Sequence, residues 1–312
     1  MYDPKKPYKN EIIRMIKETW ETPFVSINDG LITRKFEGVE TDSTDGIGNK
    51  GFYHWMRRSF SRAVLDGLLM NKNDLLMKRA RAFKAQDHIL IPEDDHEAIR
   101  QIVYFLTEDC KRHQIAVTGG ETAIHNNLSG LEISVTTNGF VLPGQEGKKN
   151  EFQIGDYLVG IKSNGLHSNG FTKVIEVFGS EFRDEFVIPT RDYTTDVLHL
   201  FNKFDIHGLM HITGGAYTKL KDILPENADI RIKRDRMLKP QDIFYELCRR
   251  GVSDEEMYET FNCGVGFVLS ASEHEAVGIN NSIRDSSIIG EVVKGNGDVI
   301  IESTFSDKEL IY

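Results

Sequence analysis

Four short stretches of this chain share one design, and it limits what the chain can fold into. Each is an apolar run passing into a small, polar, glycine-bearing turn: "TDSTDGIGNKG" (41–51), "VTGGETA" (117–123), "SNGLHSNG" (163–170) and "HITGGAYTKL" (211–220). A fifth, "FNCGVG" (261–266), leads from glycines into a strand. Repeated strand-to-turn transitions point to mixed α and β elements stacked in layers. Glycine admits positive φ and lets the backbone approach a ligand closely. Consecutive N–H groups and helix N-termini attract anions. From the residues alone, such a turn has three readings: a plain strand-to-helix turn, a nucleophile site on Ser or His, or a phosphate cradle. No cluster fits G-x-x-x-x-G-K-[ST] or G-x-G-x-x-G, so neither a P-loop nor a dinucleotide fold is supported. The absence of G-x-S-x-G counts against a serine-hydrolase elbow.

The segments between the turns read as ordinary elements. A short amphipathic helix is expected over 10–20, then a strand through "KFEGVETD". Another helix is expected over 57–72. Residues from Asp94–Asp95 to His113 put Ile99, Ile102, Val103, Leu106 and Cys110 on one helical face. "QIAVTGGE" reads as a strand ending in glycines, and "LEISVTTNGFV" alternates as a half-buried strand should. "LPGQEGKKNEFQIGD" (142–156) holds Pro143, three glycines and several charges, and is the expected boundary. The division is a leader over 1–35, one domain over 36–148 and a second over 149–312. In the second, "YLVGI" is a strand, a helix starts near Gly170, and another runs over 190–204 after Pro189. Short strands and helices alternate from there to "DVIIES".

Composition excludes several classes. The net charge of −10 argues against general nucleic-acid binding, which needs a basic surface, but leaves small phosphorylated substrates open. Cys110, Cys248 and Cys263 form no C-x-x-C pair, so a thiolate zinc site is not expected. No apolar run approaches the roughly 20 residues that span a bilayer, and the first residues are too polar for a signal segment. A cytoplasmic, non-membrane protein is expected. Magnesium takes carboxylate oxygens, and Asp42, Asp45, Asp74 and Glu121 lie at or near the turns. His167 is either a structural loop residue or a general acid–base whose pKa suits neutral pH. His211 reads as a buried strand residue or a ligand contact. "KRARAFK" (78–84) is a solvated basic face or a phosphate patch.

In order, the clusters resemble the aminoimidazole ribonucleotide synthetase family, the phosphoribosylformylglycinamidine cyclo-ligases. "STDGIGNK" is similar to its Thr-Asp-Gly-Val-Gly-Thr-Lys segment, Asn73-Asp74 to an Asn-Asp after its first long helix, and "GGETA" matches outright. "GDYLVGIKSNGLHSNGFTKV", "HITGGAYTKLKDILP" and "EMYETFNCGVGFVLS" resemble its later signatures. The resemblance implies a two-domain α+β and α/β protein. Its N-terminal sheet would form a barrel across a homodimer, and its C-terminal domain would be an α/β layer. It implies ATP-driven ring closure of formylglycinamidine ribonucleotide, through phosphorylation of the formyl oxygen. On that basis Asp45, Asp74 and Glu121 are assigned to Mg2+, and His167, with Asp45, to catalysis. The expected nucleotide and phosphate contacts in the first domain are Thr44, Gly46, Gly48, Lys50, Asn73, Gly119 and Gly120. In the second they are Ser163, Asn164, Gly165, Ser168, Asn169, Gly170, His211, Thr213, Gly214, Gly215, Asn262 and Gly264.

Three departures from the family pattern fall in the first half. Residues 1–40 hold only Gly30 and Gly38. "LLMKRARAFKAQ" stands where Gln-Gly-Ala-x-Pro is usual, and by composition favours continued helix. Ile124-His125-Asn126-Asn127 stands where Glu-Met-Pro-Gly is usual. Two alternatives follow: another ATP-dependent reaction of the same fold, such as that of thiamine-monophosphate kinase, or a non-catalytic nucleotide-binding paralogue.

Overall fold

Two arginines in the left-handed region, Arg58 and Arg79, both with φ 54°, bound the first long helix. Non-glycine residues pay roughly 1–2 kcal/mol for this conformation, so the surrounding packing has to fix it. The computed structural model describes residue 6 and residues 8–312. They group into two units, residues up to Glu146 with Phe182–Pro189, and Gly147–Glu181 with Thr190–Tyr312.

The first unit contains α1 (Lys9–Lys17), β1 (Val25–Asn28), β2 (Leu31–Arg34), β3 (Glu40–Gly46), α2 (Lys50–Arg57), α3 (Phe60–Met77), β4 (Ala80–Ile91), α4 (His96–His113), β5 (Ala116–Ile124) and β6 (Glu132–Val141). Its main sheet has the order β3-β6-β4-β5, with β4 and β5 parallel and the other pairs antiparallel. The amphipathic face read in α4 is buried: Ile99, Ile102, Val103, Leu106 and Cys110 pack with Leu68 and Leu75 of α3 and with Ile133 and Val135 of β6. Gly67 lets α3 approach β6, because a Cβ there would stand 3.1 Å from Ile133 Cγ2 and 3.3 Å from Val135 Cγ2. The opposite face of the sheet carries polar residues, with Asp42, Thr44, Gln86 and His88 exposed. At one end of the sheet Phe24, Phe36, Phe83 and Phe140 form an aromatic group.

Several expected elements are corrected here. The helix expected over 57–72 is two helices, separated at Arg58 and Ser59. "MKRARAFK" does not continue the helix: α3 ends at Met77, Arg79 turns the chain, and Ala80 begins β4. Central pairing to both β6 and β5 outweighs helix propensity. "GGETA" is not a turn, since all of it lies in β5. Thr44, Asp45 and Gly46 are likewise strand residues, paired with Thr136, Val135 and Ser134. The 1–40 region holds a hairpin of β1 and β2, turned at Asp29-Gly30 with both φ positive.

The second unit contains β7 (Tyr157–Lys162), α5 (Phe171–Phe178), α6 (Thr194–Leu198), β8 (Gly208–His211), β9 (Ala228–Ile232), α7 (Asp242–Arg249), α8 (Asp254–Thr260), β10 (Val265–Ala271), α9 (Glu273–Ser282), β11 (Ser286–Lys294), β12 (Val299–Glu302) and β13 (Glu309–Ile311). Its seven-stranded sheet has the order β13-β12-β9-β11-β7-β10-β8. The helix expected over 190–204 is only α6 followed by a 3-10 turn at Leu200–Asn202. Among the described residues no helix is long and apolar enough to cross a membrane.

Asp95 caps α4, its carboxylate accepting from the Ala98 N–H at 2.9 Å. Asp95→Ala is expected to lower the unfolding free energy by about 1 kcal/mol in urea denaturation, with Asp95→Asn nearly neutral.

Candidate functional site

In the second unit, β7 ends at Lys162 and β8 at His211, and glycine turns follow both strands. Gly170 (φ 74°) precedes α5, and Gly215 (φ 80°) precedes the 3-10 helix Ala216–Ile223. The two turns meet at Asn169 and Gly214, where a Cβ on the glycine would lie 3.5 Å from Asn169 Oδ1. Asn169 Nδ2 is buried and has no hydrogen-bond partner. An orphaned amide donor costs free energy unless something fills the place, so its position between two glycine turns marks a site for an acceptor. Lys219, which sequence reading missed, adds positive charge by donating to Thr213 Oγ1 at 3.0 Å. Its signal was present, four residues after Gly215 in "TGGAYTKL".

Other predicted contacts shape these turns rather than face a ligand. Asn262 is buried; its Nδ2 donates to the Gly165 carbonyl (2.8 Å) and its Oδ1 accepts from the Gly264 N–H (3.0 Å). Gly264 has φ 97° and lies against Pro240. Ser163 is buried, and Gln241, also missed, bonds to its hydroxyl and carbonyl. Asn164, Gly214 and Gly215 are exposed, and Ser168 and Gly170 half-buried. Ser168 Oγ stands 3.2 Å from Thr190 Oγ1.

His167 has φ 59°, no solvent exposure, and a ring packed with Tyr193 and His211 at centroid separations of 6.1 and 6.3 Å. The imidazole, expected to transfer protons, lies beneath the turn in this packing. Gly266 makes room for it, since a Cβ there would lie 2.6 Å from His167 Cε1. His211 is fully buried in the same group and likewise offers no face to a ligand.

In the first unit the turn after β3 lies beside Glu132. The Glu132 carboxylate accepts from Ser134 Oγ at 3.1 Å, and the Ile47 N–H donates to the Ile133 carbonyl. Burial raises the pKa of Glu132. A Cβ on Gly46 would stand 2.4 Å from Glu132 Oε1. Gly46 thus gives room to the chain's own carboxylate, whereas Gly48 is exposed at φ 52°. Lys50 and Asn73, also expected to meet a nucleotide, are buried. Asn73 has no exposure, and the Lys50 ammonium is buried against Asp66 (2.7 Å) and the Ile188 carbonyl (2.6 Å).

The predicted carboxylates do not converge: among the described residues no three of His, Cys, Asp or Glu stand together as a metal site. Asp45, Asp74 and Glu121, the residues expected to hold Mg2+, do not form such a group. The sheet instead sets Asp45, Val135, Asp87 and Gly120 in one cross-strand row. Residues in such a row share a face, here the one covered by α3. Asn71 of α3 donates to the Asp45 carbonyl at 3.2 Å. Asp87, which sequence reading missed, is buried with Oδ1 lacking a hydrogen-bond partner. A Cβ on Gly120 would lie 2.3 Å from Asp87 Oδ2, so Gly120 gives this carboxylate room. Burial pushes the Asp87 carboxyl up to about 7; its backbone hydrogen bond opposes the shift and the Glu121 charge adds to it. Such an acid fits a cation. Magnesium usually takes only one or two protein carboxylates and completes its shell with phosphates and water. Gly119 aligns with Gln86 and Thr136, and Thr44 Oγ1 lies 2.9 Å from Thr136 Oγ1, on the open face. The basic run is no phosphate patch. Arg79 is buried, Lys78 donates to the Asp42 carbonyl, and Arg81 stacks on Phe24 and bonds Gln114.

Comparison with known proteins agrees with this architecture. The family model "AIR synthase related protein, N-terminal domain" matches residues 43–141, and its C-terminal counterpart matches 153–302. Among solved structures, hydrogenase maturation protein HypE in complex with ATP superposes with a TM-score of 0.73 at 17% identity, covering 99% of this chain and 95% of that one. A thiamine-monophosphate kinase from Stenotrophomonas maltophilia gives 0.65 at 17%, covering 97% and 98%. At such identities these two show the fold alone, that of the AIR synthase-like proteins. The phosphoribosylformylglycinamidine cyclo-ligase of Methanococcus vannielii is 34% identical, over 80% of this chain and 76% of its own. That of Saccharolobus solfataricus is 30% identical, over 94% and 91%. The chain belongs to the phosphoribosylformylglycinamidine cyclo-ligase family.

Asp87 gives a pH signature. The native carboxyl keeps its proton up to about 7, whereas the unfolded one releases it near the ordinary 3.8. Between these values the native state binds more protons, so stability falls as pH rises and levels off above 7. Asp87→Asn is expected to flatten that slope in chemical denaturation. A constant offset across the window would contradict the assignment.

Proposed function

We propose that this chain catalyses the ATP-dependent closure of formylglycinamidine ribonucleotide to 5-aminoimidazole ribonucleotide, releasing ADP and phosphate. Identity to the cyclo-ligases over most of the chain supports the reaction. The observation that ties it to a site is the buried, partnerless Asn169 amide between two glycine turns.

The chemistry suits a site that positions and neutralises. The formyl oxygen attacks the γ-phosphorus, the new O–P bond forms, and the bridge to ADP breaks. The substrate nitrogen that closes the ring then attacks the activated carbon, and the C–O bond breaks as phosphate leaves. A poor leaving group has become a good one, and most of the protein's task is alignment and charge stabilisation. The N–H groups at 168–170 and 213–215, Asn169 Nδ2 and the Lys219 ammonium hold phosphoryl oxygens. His167 fixes the turn from beneath. Magnesium, when bound, would supply charge neutralisation at the phosphates, and Asp87 is the residue whose buried, unsatisfied carboxylate fits it. The open polar face of the four-stranded sheet suits closure against a second copy, giving a homodimer with a shared barrel. The protein is cytoplasmic in this reading and takes no nucleic-acid or membrane partner.

The test is direct: purified protein, ATP, Mg2+ and formylglycinamidine ribonucleotide, with ADP and aminoimidazole ribonucleotide followed together. Both products in equal amounts are expected. ATP binding without the imidazole product would overturn the reading in favour of a nucleotide-binding paralogue. Asn169→Ala is expected to lower kcat/KM about ten- to hundredfold, the loss of one hydrogen bond to a charged group, with an unchanged unfolding midpoint. Asn169→Asp should be worse, because it sets a carboxylate against phosphate.

A further inference from the structure

We propose that a cleft between α3 and α4 of the first unit binds a small organic cation, an ammonium group carried on an apolar body. Helix periodicity builds the cleft. Ser61, Val64 and Leu65 stand at i, i+3 and i+4 on α3, and Phe105, Glu108, Asp109 and Arg112 at i, i+3, i+4 and i+7 on α4. Each set therefore shares one helix face. The core stripe of α4 runs through Ile102, Val103, Leu106 and Cys110. The helix thus buries one stripe and lines the cleft with the next. Both helices belong to the same unit.

Asp109 carries the assignment. It is only 5% exposed, and its Oδ2 has no hydrogen-bond partner. The cations around it do not supply one. His113 Nδ1, 3.2 Å from Oδ2, lies nearer the Asp109 carbonyl, at 2.9 Å. Arg112 approaches the other oxygen, Oδ1, at 3.7 Å, and its side chain is 73% exposed. A buried carboxylate oxygen without a donor is destabilising, and a donor entering the cleft would relieve it. Glu108, by contrast, is already paired with Lys111.

The walls decide which cation fits. A hard metal ion takes six or more oxygens, whereas Val64, Leu65 and Phe105 line this space. They favour an apolar body, and a Phe ring attracts a cation set over it. The cleft holds about 250 Å3. An apolar cavity of about 150 Å3 takes a benzene ring, so there is room for a group of that size with its ammonium on Asp109. An anion would meet two carboxylates against one guanidinium.

The probe is benzylammonium chloride, titrated calorimetrically at neutral pH into the full-length protein, with benzyl alcohol as its uncharged counterpart. Benzylammonium is expected to bind at one site. Benzyl alcohol is expected to bind about tenfold to hundredfold more weakly, the worth of one hydrogen bond to a charged group. Asp109→Asn should lose a similar factor for benzylammonium, and Glu108→Gln should change its affinity little. Ser61→Phe fills the cleft from a half-buried position and should abolish binding, which keeps the test open if Asp109→Asn fails to fold. No binding to the wild type would leave the cleft to water and overturn the proposal. Equal binding of the two probes would overturn it as well, and so would full affinity in either Asp109→Asn or Ser61→Phe. None of these measurements involves ATP or turnover, so they stand whether or not the cyclo-ligase reading does.

Discussion

Asn262 is buried between the turns of the second unit, and its two amide atoms set their shape. The Nδ2 group holds the Gly165 carbonyl and Oδ1 holds the Gly264 N–H. The Tyr217 hydroxyl in turn donates to the Asn262 carbonyl. Three turns of unrelated sequence position are thereby fixed relative to one another before any ligand arrives. Donors fixed in advance need no reorganisation when charge develops against them, which is where most electrostatic catalysis comes from. The turn after β3 has the opposite fate. There the Glu132 carboxylate, bonded by Ser134, lies against Gly46. Glycine alone does not make a phosphate site; what decides is which acceptor the fold supplies.

That distinction also marks how much the sequence can say. The amphipathic face of α4 and the alternation of β6 are local patterns, and both are plain in the residues. The glycine turns at 163–170 and 213–215 were legible for the same reason. Glu132, Asp87 and Gln241 were not, because each matters through a partner distant in sequence. Glu132 lies against Gly46, and Gln241 serves Ser163. Lys50 and His167 misled in the other direction. Both residue types suit a ligand, but their burial depends on Asp66 for one and on Tyr193 and His211 for the other. β4 failed through competition between levels. Its first residues favour helix, while pairing to β6 and the turn at Arg79 impose strand, with β5 joining from Lys84.

The same turn bears on the divergence of the first half. Arg79 adopts a left-handed conformation here, and β4 places Asp87 in the row with Asp45 and Gly120. The extra positive charges are used locally, Lys78 on the Asp42 carbonyl and Arg81 on Gln114. They do not offset the carboxylates of this row. An anionic ligand near it meets repulsion unless a proton or a cation intervenes. Asp87 carries its proton up to about 7, and a divalent cation would displace that proton and bring the carboxyl back into its charged form.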